Sequence, residues 1–375
     1  MSTATAPEIA PPVSPAPANP RMSWIDTFRG LSIVLVVLGH VLGGLAFAAF
    51  VPEAGKERLW AAYDLLYTFR MPALFLASGL FAARSVRKGW PKFAGDKART
   101  LAYPYLLWSL IAWGCHSLVS GMTNSQADPL TPLKMLYDPM QGVWFLYVLF
   151  AVMMAFGLWT AKGGNRAGFL AIGVVLHFLV PLWVGAPSLL VQVGLFAVYF
   201  GLGLVVADHI RLLGEWLKPR RLVWFVPLAF GLMKGAVAMG WDEHAWLDLV
   251  PALFGTLGMF GVAMVLDRLP GVEALRYCGR HSLQIYVASG HASVATRILL
   301  SRGLNFTGLP MHIVLGTAAG LIVPLALVAV SKAIGFRYLF TWPASDSPGE
   351  QKGTATKARG PIGGPRPRVA SVPSP

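Results

Sequence analysis

Ten apolar stretches recur along the chain, each roughly 17 to 25 residues long, the length an α-helix needs to cross a hydrocarbon core of about 30 Å. They centre on residues 28–50, 60–83, 100–120, 141–160, 167–185, 188–207, 222–240, 246–266, 281–300 and 311–334. Only 13% of the 375 residues are charged and 55% are hydrophobic, whereas a soluble domain carries about 25% charged residues. A soluble globular enzyme is therefore excluded. Two cysteines, Cys115 and Cys278, exclude a disulfide-stapled scaffold. The expected fold class is all-α, a polytopic membrane protein of about ten transmembrane helices, in which internal prolines such as Pro104 and Pro324 are tolerated. Residues 1–20 and 343–375, rich in Pro, Ala, Ser and Gly with little to bury, read as disordered tails around one transmembrane domain at 21–342.

The net charge of +14 follows from where the cations fall. Sorted against alternate loops, 24 of the 31 basic residues lie on one side, including the cluster Arg84, Arg87, Lys88, Lys92, Lys97 and Arg99. By the positive-inside rule that side is cytoplasmic, so both termini are expected there, the span count is even, and the protein lies in an inner or plasma membrane. The surplus charge is an orientation signal and an attraction to anionic membrane lipids, with no nucleic-acid partner implied. Ala46-Phe47-Ala48 resembles a small-residue cleavage site, but the spanning length before it and the nine spans after it read as an uncleaved first helix. Cys115, within a span, and Cys278, in a reducing loop, are not expected to pair. There is no metal-ligand cluster, phosphate-binding loop or dinucleotide fingerprint, and His281 and His291 are too far apart for an i, i+4 zinc pair. No metal or bound cofactor is expected.

Function in such a chain is sought at ionisable residues inside the bilayer, where each costs several kcal/mol to hold. In WIDTFRGLSIVLVVLGHVLGG, Arg29 and His40 are eleven positions apart. Eleven steps of about 100° return to nearly the same face and rise about 16 Å, which puts Arg29 at the cytoplasmic edge and His40 near the midplane. A ligand joining them must be long and anionic at one end. An acyl thioester of coenzyme A has that shape, with phosphates for Arg29 and an extended arm that carries the reactive carbonyl toward His40. A sugar hydroxyl is a poor nucleophile near neutral pH, and a histidine suits the role of its base. The alternative role for His40 is a polar residue hydrogen-bonded between helices. Asp26, at i−3 from Arg29, either pairs with it or complements the helix dipole.

Arg70 lies at a depth comparable to His40 and either stabilises the thioester oxyanion or pairs with Asp64. Ser78-Gly79 permits close approach of another helix or of the donor. Arg99 is a candidate phosphate ligand or an orienting lipid contact. Lys234 is placed to snorkel outward. Trp144 and Tyr147 fall at the outer mouth of the fourth span, where aromatic belts are normal and sugars also stack. His291 falls midway through the ninth span and ranks second to His40. The remaining histidines have no special spacing.

The segments RMSWIDTFRGLSIVLVVLGHVLGGL, YTFRMPALFLASGLFAARS, DKARTLAYPYLLWS, GVWFLYVLF and CGRHSLQIYVASGH together resemble, in order, the integral-membrane acyltransferase 3 family, nearest to the bacterial carbohydrate O-acetyltransferases and the fucose 4-O-acetylase-like group. The resemblance implies a ten-helix enzyme that transfers an acyl group, usually acetyl from cytoplasmic acetyl-CoA as co-substrate, to a hydroxyl of a glycan or lipid-linked sugar. It implies functional roles for Arg29 and His40. The family more often has His before the Met-Pro of the second helix, where this chain has Arg70. The site so assembled is His40, Arg29 and Arg70 for catalysis, Arg29, Ser78 and Arg99 for the donor, and Trp144, Tyr147 and His291 for the acceptor. A transporter or flippase of polar lipids or sugars would also hold ions at midplane, but transporters often show internal repeats and this chain shows no convincing self-similarity.

Overall fold

A computed structural model describes residues 23–118, 128–244 and 246–343. The expected N-terminal tail, and all of the C-terminal tail beyond residue 343, lie outside the described residues. The helices are α1 (Ser23–Ala46), α2 (Glu53–Ser85), α3 (Trp90–Lys97), α4 (Tyr103–Leu118), α5 (Thr131–Lys134), α6 (Trp144–Ala161), α7 (Arg166–Leu179), α8 (Ser188–Val206), α9 (Ile210–Trp216), α10 (Pro219–Ala238), α11 (Leu249–Leu266), α12 (Glu273–Arg280), α13 (Ser282–Ile298) and α14 (Leu309–Ala333). No strand occurs among the described residues. That is the outcome apolar runs of spanning length dictate, since in hydrocarbon a helix satisfies its backbone internally.

Every one of the ten apolar stretches coincides with a helix, but seven helices are long and apolar enough to cross a membrane by themselves: α1, α2, α6, α8, α10, α11 and α14. The other three, α4, α7 and α13, have 16, 14 and 17 residues. In each the apolar run continues while the backbone changes its winding: a π-turn, Ala98–Ala102, joins α3 to α4, a 3-10 turn, Val180–Leu182, follows α7, and a π-turn, Leu299–Gly303, follows α13.

Helix α1 is the centre of the bundle and packs against α2, α11, α12, α13 and α14. Its position follows from its faces: Phe28 stacks on Phe260 of α11 at 4.2 Å, and Val37 and Val41 meet Gly320 and Gly316 of α14. Helix α2 lies between α1 and α8. A Cβ at Gly79 would sit 2.1 Å from the Phe200 carbonyl oxygen, and one at Gly203 2.1 Å from that of Leu76. Two glycines thus let α2 and α8 touch backbone to backbone, the small-residue packing that replaces hydrophobic drive in lipid. At the start of α1, Ser23 and Thr27 donate hydrogen bonds to Asp267 at 2.7 and 2.6 Å, and Arg276 of α12 donates from Nε to the same carboxylate at 2.8 Å. This polar clasp fixes the turn of α1 that precedes Arg29.

Candidate active site

Two cavities lie along α2, one against Leu74–Phe81 and the other against Asp64–Pro72. The first, about 240 Å³, is lined by Arg29 and Ile33 of α1, Ser78 of α2, Lys97, Thr100 and Leu101, Phe145 and Leu149 of α6, and Ser282 and Tyr286 of α13, among others. The Arg29 guanidinium donates from Nη2 to Ser282 Oγ at 2.9 Å and lies over the Phe81 ring at 5.7 Å. Those contacts hold it at the wall of an otherwise apolar chamber. Ser78 donates its hydroxyl proton to the Leu74 carbonyl at 2.8 Å, so its side chain lines the cavity without an open donor. Lys97 is the second cation of this wall. Burial lowers its ammonium below the ordinary lysine value, with Asp96 opposing and Lys88 adding to the shift.

Arg99, the expected phosphate ligand, does not line this cavity. Two residues turn a helix by about 200°, so Lys97 and Arg99 point to opposite sides of one helix. The residue that the basic cluster contributes is Lys97, and Arg99 instead offers its carbonyl to the Trp342 amide at 3.2 Å.

His40 lies beside Tyr286 and Ser289 of α13. Its ring centroid is 6.2 Å from that of Tyr286, and its Nδ1 is 3.4 Å from Ser289 Oγ. Arg70 packs directly on the backbone of the neighbouring residue: a Cβ at Gly39 would lie 1.6 Å from Arg70 Nη1. Only a glycine at 39 admits the guanidinium beside His40. Arg70 is 3% exposed, lies over the rings of Tyr63 and Tyr67 at 4.6 and 5.3 Å, and leaves Nε and Nη1 without a hydrogen-bond partner. No ion pair joins it to Asp64 among the described residues. The pairing weighed above is replaced by a cation held between aromatic faces, because Asp64 is six residues and some 240° around α2 from Arg70. Neither His40 nor Arg70 lines either of these two cavities; Arg70 is buried and His40 is half-buried beside it.

The second cavity, about 450 Å³, is lined by Asp64, Tyr67, Thr68, His177, Gln192, Tyr199, Asp242, Glu243 and Asp248, with Phe196 and others. Buried His177 bridges α7 to α8 and α11, with Nδ1 3.1 Å from the Leu195 carbonyl and Nε2 2.9 Å from Asp248 Oδ1. Tyr67 belongs both to this wall and to the stack on Arg70.

The acceptor candidates fare differently. Trp144 is 8% exposed and packs against Phe196 and Phe75 at 5.3 and 6.4 Å, so it belongs to neither an interfacial belt nor an open stacking face. The reason is tertiary: Phe75 of α2 and Phe196 of α8 pack on its ring, while Met135 and Val143 join the same apolar core and the Met135 carbonyl accepts the Tyr105 hydroxyl at 2.5 Å. Tyr147 stacks on that buried Tyr105 at 4.6 Å. His291 lies one residue beyond Gly290, which faces His40, and its ring meets Trp108 at 5.5 Å with Nδ1 buried and unpartnered. Lys97, Ser282, Tyr286, Ser289 and the His177–Asp248 pair were not singled out by sequence. The one available signal was that Ser282, Tyr286 and Ser289 recur at helical spacing in the segment that holds His291.

No group of three or more His, Cys, Asp or Glu side chains capable of holding a metal occurs among the described residues. Both cysteines are free. Residues 22–329 match the acyltransferase 3 family model, described as an acyltransferase domain. Two curated relatives carry the name Nodulation protein NolL. The one from Mesorhizobium japonicum is 28% identical over 139 residues, 36% of this chain and 35% of the relative. The one from Sinorhizobium fredii is 26% identical over 197 residues, 51% of this chain and 50% of the relative. The chain thus spans between a third and a half of the length of these relatives. No solved structure matches.

Proposed function

Because the chain belongs to the acyltransferase 3 family, we propose that it is a membrane O-acyltransferase that moves an acyl group, acetyl from cytoplasmic acetyl-CoA, onto a hydroxyl of a cell-surface glycan or lipid-linked sugar. The observation that carries this reading is one cavity lined by both Arg29 and Tyr286, the latter with its ring 6.2 Å from that of His40. Arg29 and Lys97 offer positive charge to the phosphates of the donor, the apolar wall receives the pantetheine arm, and the thioester arrives beneath His40.

The hydrogen bonds of Ser289 favour His40 as the base. Ser289 has one hydroxyl proton and donates it to the Tyr286 carbonyl at 3.3 Å. His40 Nδ1–H then donates to Ser289 Oγ, which leaves the Nε2 lone pair to accept the proton of the attacking hydroxyl. Arg70, with donors unused and packed beside His40, supplies positive charge where the carbonyl oxygen becomes negative. The Asp64–Asp248 cavity is the approach for the acceptor: its carboxylates accept hydrogen bonds from sugar hydroxyls and Tyr67 offers an aromatic face.

In this reading ten helices cross an inner or plasma membrane, α4, α7 and α13 completing their spans with the adjoining turns, and both termini are cytoplasmic. Membrane lipids surround the bundle and nucleic acid is no partner. Mass spectrometry of surface glycans and lipids from cells with and without the gene tests the activity: a hydroxyl-linked acetyl mass present only with the gene is the expected result, and identical spectra overturn it. Cysteine labelling tests the orientation: the 84–99 loop should label only from the cytoplasm.

A further inference from the structure

We propose that Tyr286 is a further catalytic residue, whose hydroxyl donates a hydrogen bond to the thioester carbonyl oxygen as it gains negative charge; the proposal rests on the acyl-transfer reading above. Four hydroxyl side chains line the Arg29 cavity, those of Ser78, Thr100, Ser282 and Tyr286. Ser78 and Thr100 donate to carbonyls of their own helix turns, Leu74 and Asp96, at 2.8 and 2.7 Å. Ser282 is engaged with Arg29. Tyr286 is the one beside His40.

Its oxygen accepts the backbone N–H of Phe145 at 3.2 Å, in the first turn of α6, where the amides carry the positive end of the helix dipole. Accepting that bond polarises the phenol and strengthens it as a donor, and among the described residues its own proton goes to no protein acceptor. The side chain is 4% exposed, so a hydrogen bond made there is little weakened by water. Arg70 lies close enough for its charge to be felt at Tyr286. The two groups belong to different helices, α2 and α13, and of the two Tyr286 lines the cavity.

The step balances without a further reactant. The acceptor hydroxyl oxygen bonds to the thioester carbon while its proton passes to His40 Nε2, and the carbonyl π pair moves onto oxygen, where the Tyr286 O–H meets it. The pair then returns, the carbon–sulfur bond breaks, and the proton on His40 leaves with the thiolate as the free thiol.

The test uses the full chain purified in detergent, acetyl-CoA as donor and surface glycan from cells lacking the gene as acceptor. Tyr286→Phe should lower kcat about 10²- to 10³-fold, the loss typical of one oxyanion donor, with the KM for acetyl-CoA and the unfolding temperature unchanged. A kcat within about threefold of wild type, against the typical loss for such a donor, overturns the proposal. Should Tyr286→Phe fail to fold, 3,5-difluorotyrosine at position 286 keeps the shape and acidifies the phenol. The alkaline limb of kcat should then move to lower pH, and an unmoved profile overturns the assignment. His40→Ala is measured in parallel. If it is inactive while Tyr286→Phe is normal, the role of Tyr286 alone fails; if wild type transfers no acetyl group, the acyl-transfer reading fails and takes this proposal with it.

Discussion

The two cavities are built against consecutive stretches of the same helix, α2, yet they are opposite in charge. The Arg29 cavity holds two cations, Arg29 and Lys97, in a wall otherwise of Ile33, Leu74, Phe145, Leu149 and similar residues. The Asp248 cavity holds four carboxylates, Asp64, Asp242, Glu243 and Asp248, with one buried histidine pinned to Asp248. A donor that bears phosphates is attracted to the first and repelled by the second; an uncharged polyol loses nothing at the second. His40 and Arg70 lie in neither wall. On the proposed acyl-transfer reading, that difference sorts the two reactants by charge before they reach the groups that act on both.

The largest expected effect is at the centre. His40→Ala should lower the transfer rate about 10²- to 10⁴-fold, the contribution of a positioned base, while the protein still inserts and unfolds at the wild-type temperature. Wild-type turnover by this variant would remove the central group from the scheme and leave two unrelated cavities. Arg70 comes next. Arg70→Met should lose about two orders of magnitude in kcat, as for one oxyanion donor, and Arg70→Lys should keep part of the rate. If Arg70→Met spares acetyl transfer and loses only a dicarboxylic donor such as succinyl-CoA, the guanidinium reads a carboxylate on the acyl group. Loss of folded protein in detergent without a change in specific activity would make Arg70 a packing element of Tyr63, Tyr67 and Gly39.

Arg29→Ala should act on one side only, raising the KM for acetyl-CoA about tenfold to a hundredfold, since a hydrogen bond to a charged group contributes about 1.5–3 kcal/mol. Lys97→Ala should do the same more weakly, and added salt should mimic both. An equal effect on the acceptor KM would break the comparison between the cavities. The mirror experiment is Asp64→Asn with Asp242→Asn: each should change the acceptor KM severalfold, in line with about 0.5–1.5 kcal/mol per hydrogen bond, and leave the donor KM alone.

The smallest effect concerns the clasp beneath Arg29. Burial alone would raise the Asp267 carboxyl, but hydrogen bonds from Thr27, Ser23 and Arg276, with the Arg276 charge, hold it below its ordinary value of 3.8. A folded value below the unfolded one means that the stabilisation is complete above about pH 4 and is lost as pH falls through the folded value. Asp267→Asn should cost about 1 kcal/mol at neutral pH, given partial solvent screening, and flatten the acid side of the stability curve. It should raise the donor KM slightly and leave the acceptor KM unchanged.

Much of the architecture was legible in sequence because lipid leaves few choices. Ten apolar stretches became ten helices, since each buries its backbone bonds within itself whatever its neighbours do. The eleven-residue interval from Arg29 to His40 was equally local: both lie on α1, Arg29 at a cavity wall and His40 beside Tyr286 of that wall. Where spans end was less legible. The switch to π or 3-10 winding beside α4, α7 and α13 changes no apolar residue, so composition carries no trace of it.

What required the tertiary structure was every contact between helices distant in sequence. Hydropathy marked Trp144 as a candidate for the interface, but packing against Phe75 of α2 and Phe196 of α8 buries it. Arg99 and Lys97 are equal as charges in a loop; only the packed structure shows that Lys97 lines the Arg29 cavity and Arg99 does not. Asp64 and Arg70 share α2, where helical periodicity already separates them, but only the structure shows that the guanidinium packs on Gly39, the neighbour of His40. The donor to the Tyr286 hydroxyl is 141 residues away and Asp248 is 71 residues from His177, so no local pattern marks either contact. Sequence alone determined that this chain is a bundle of membrane helices with an arginine and a histidine on one stripe of the first. Which side chains surround that stripe was decided by helix packing, a matter of shape between surfaces that no single stretch of sequence contains.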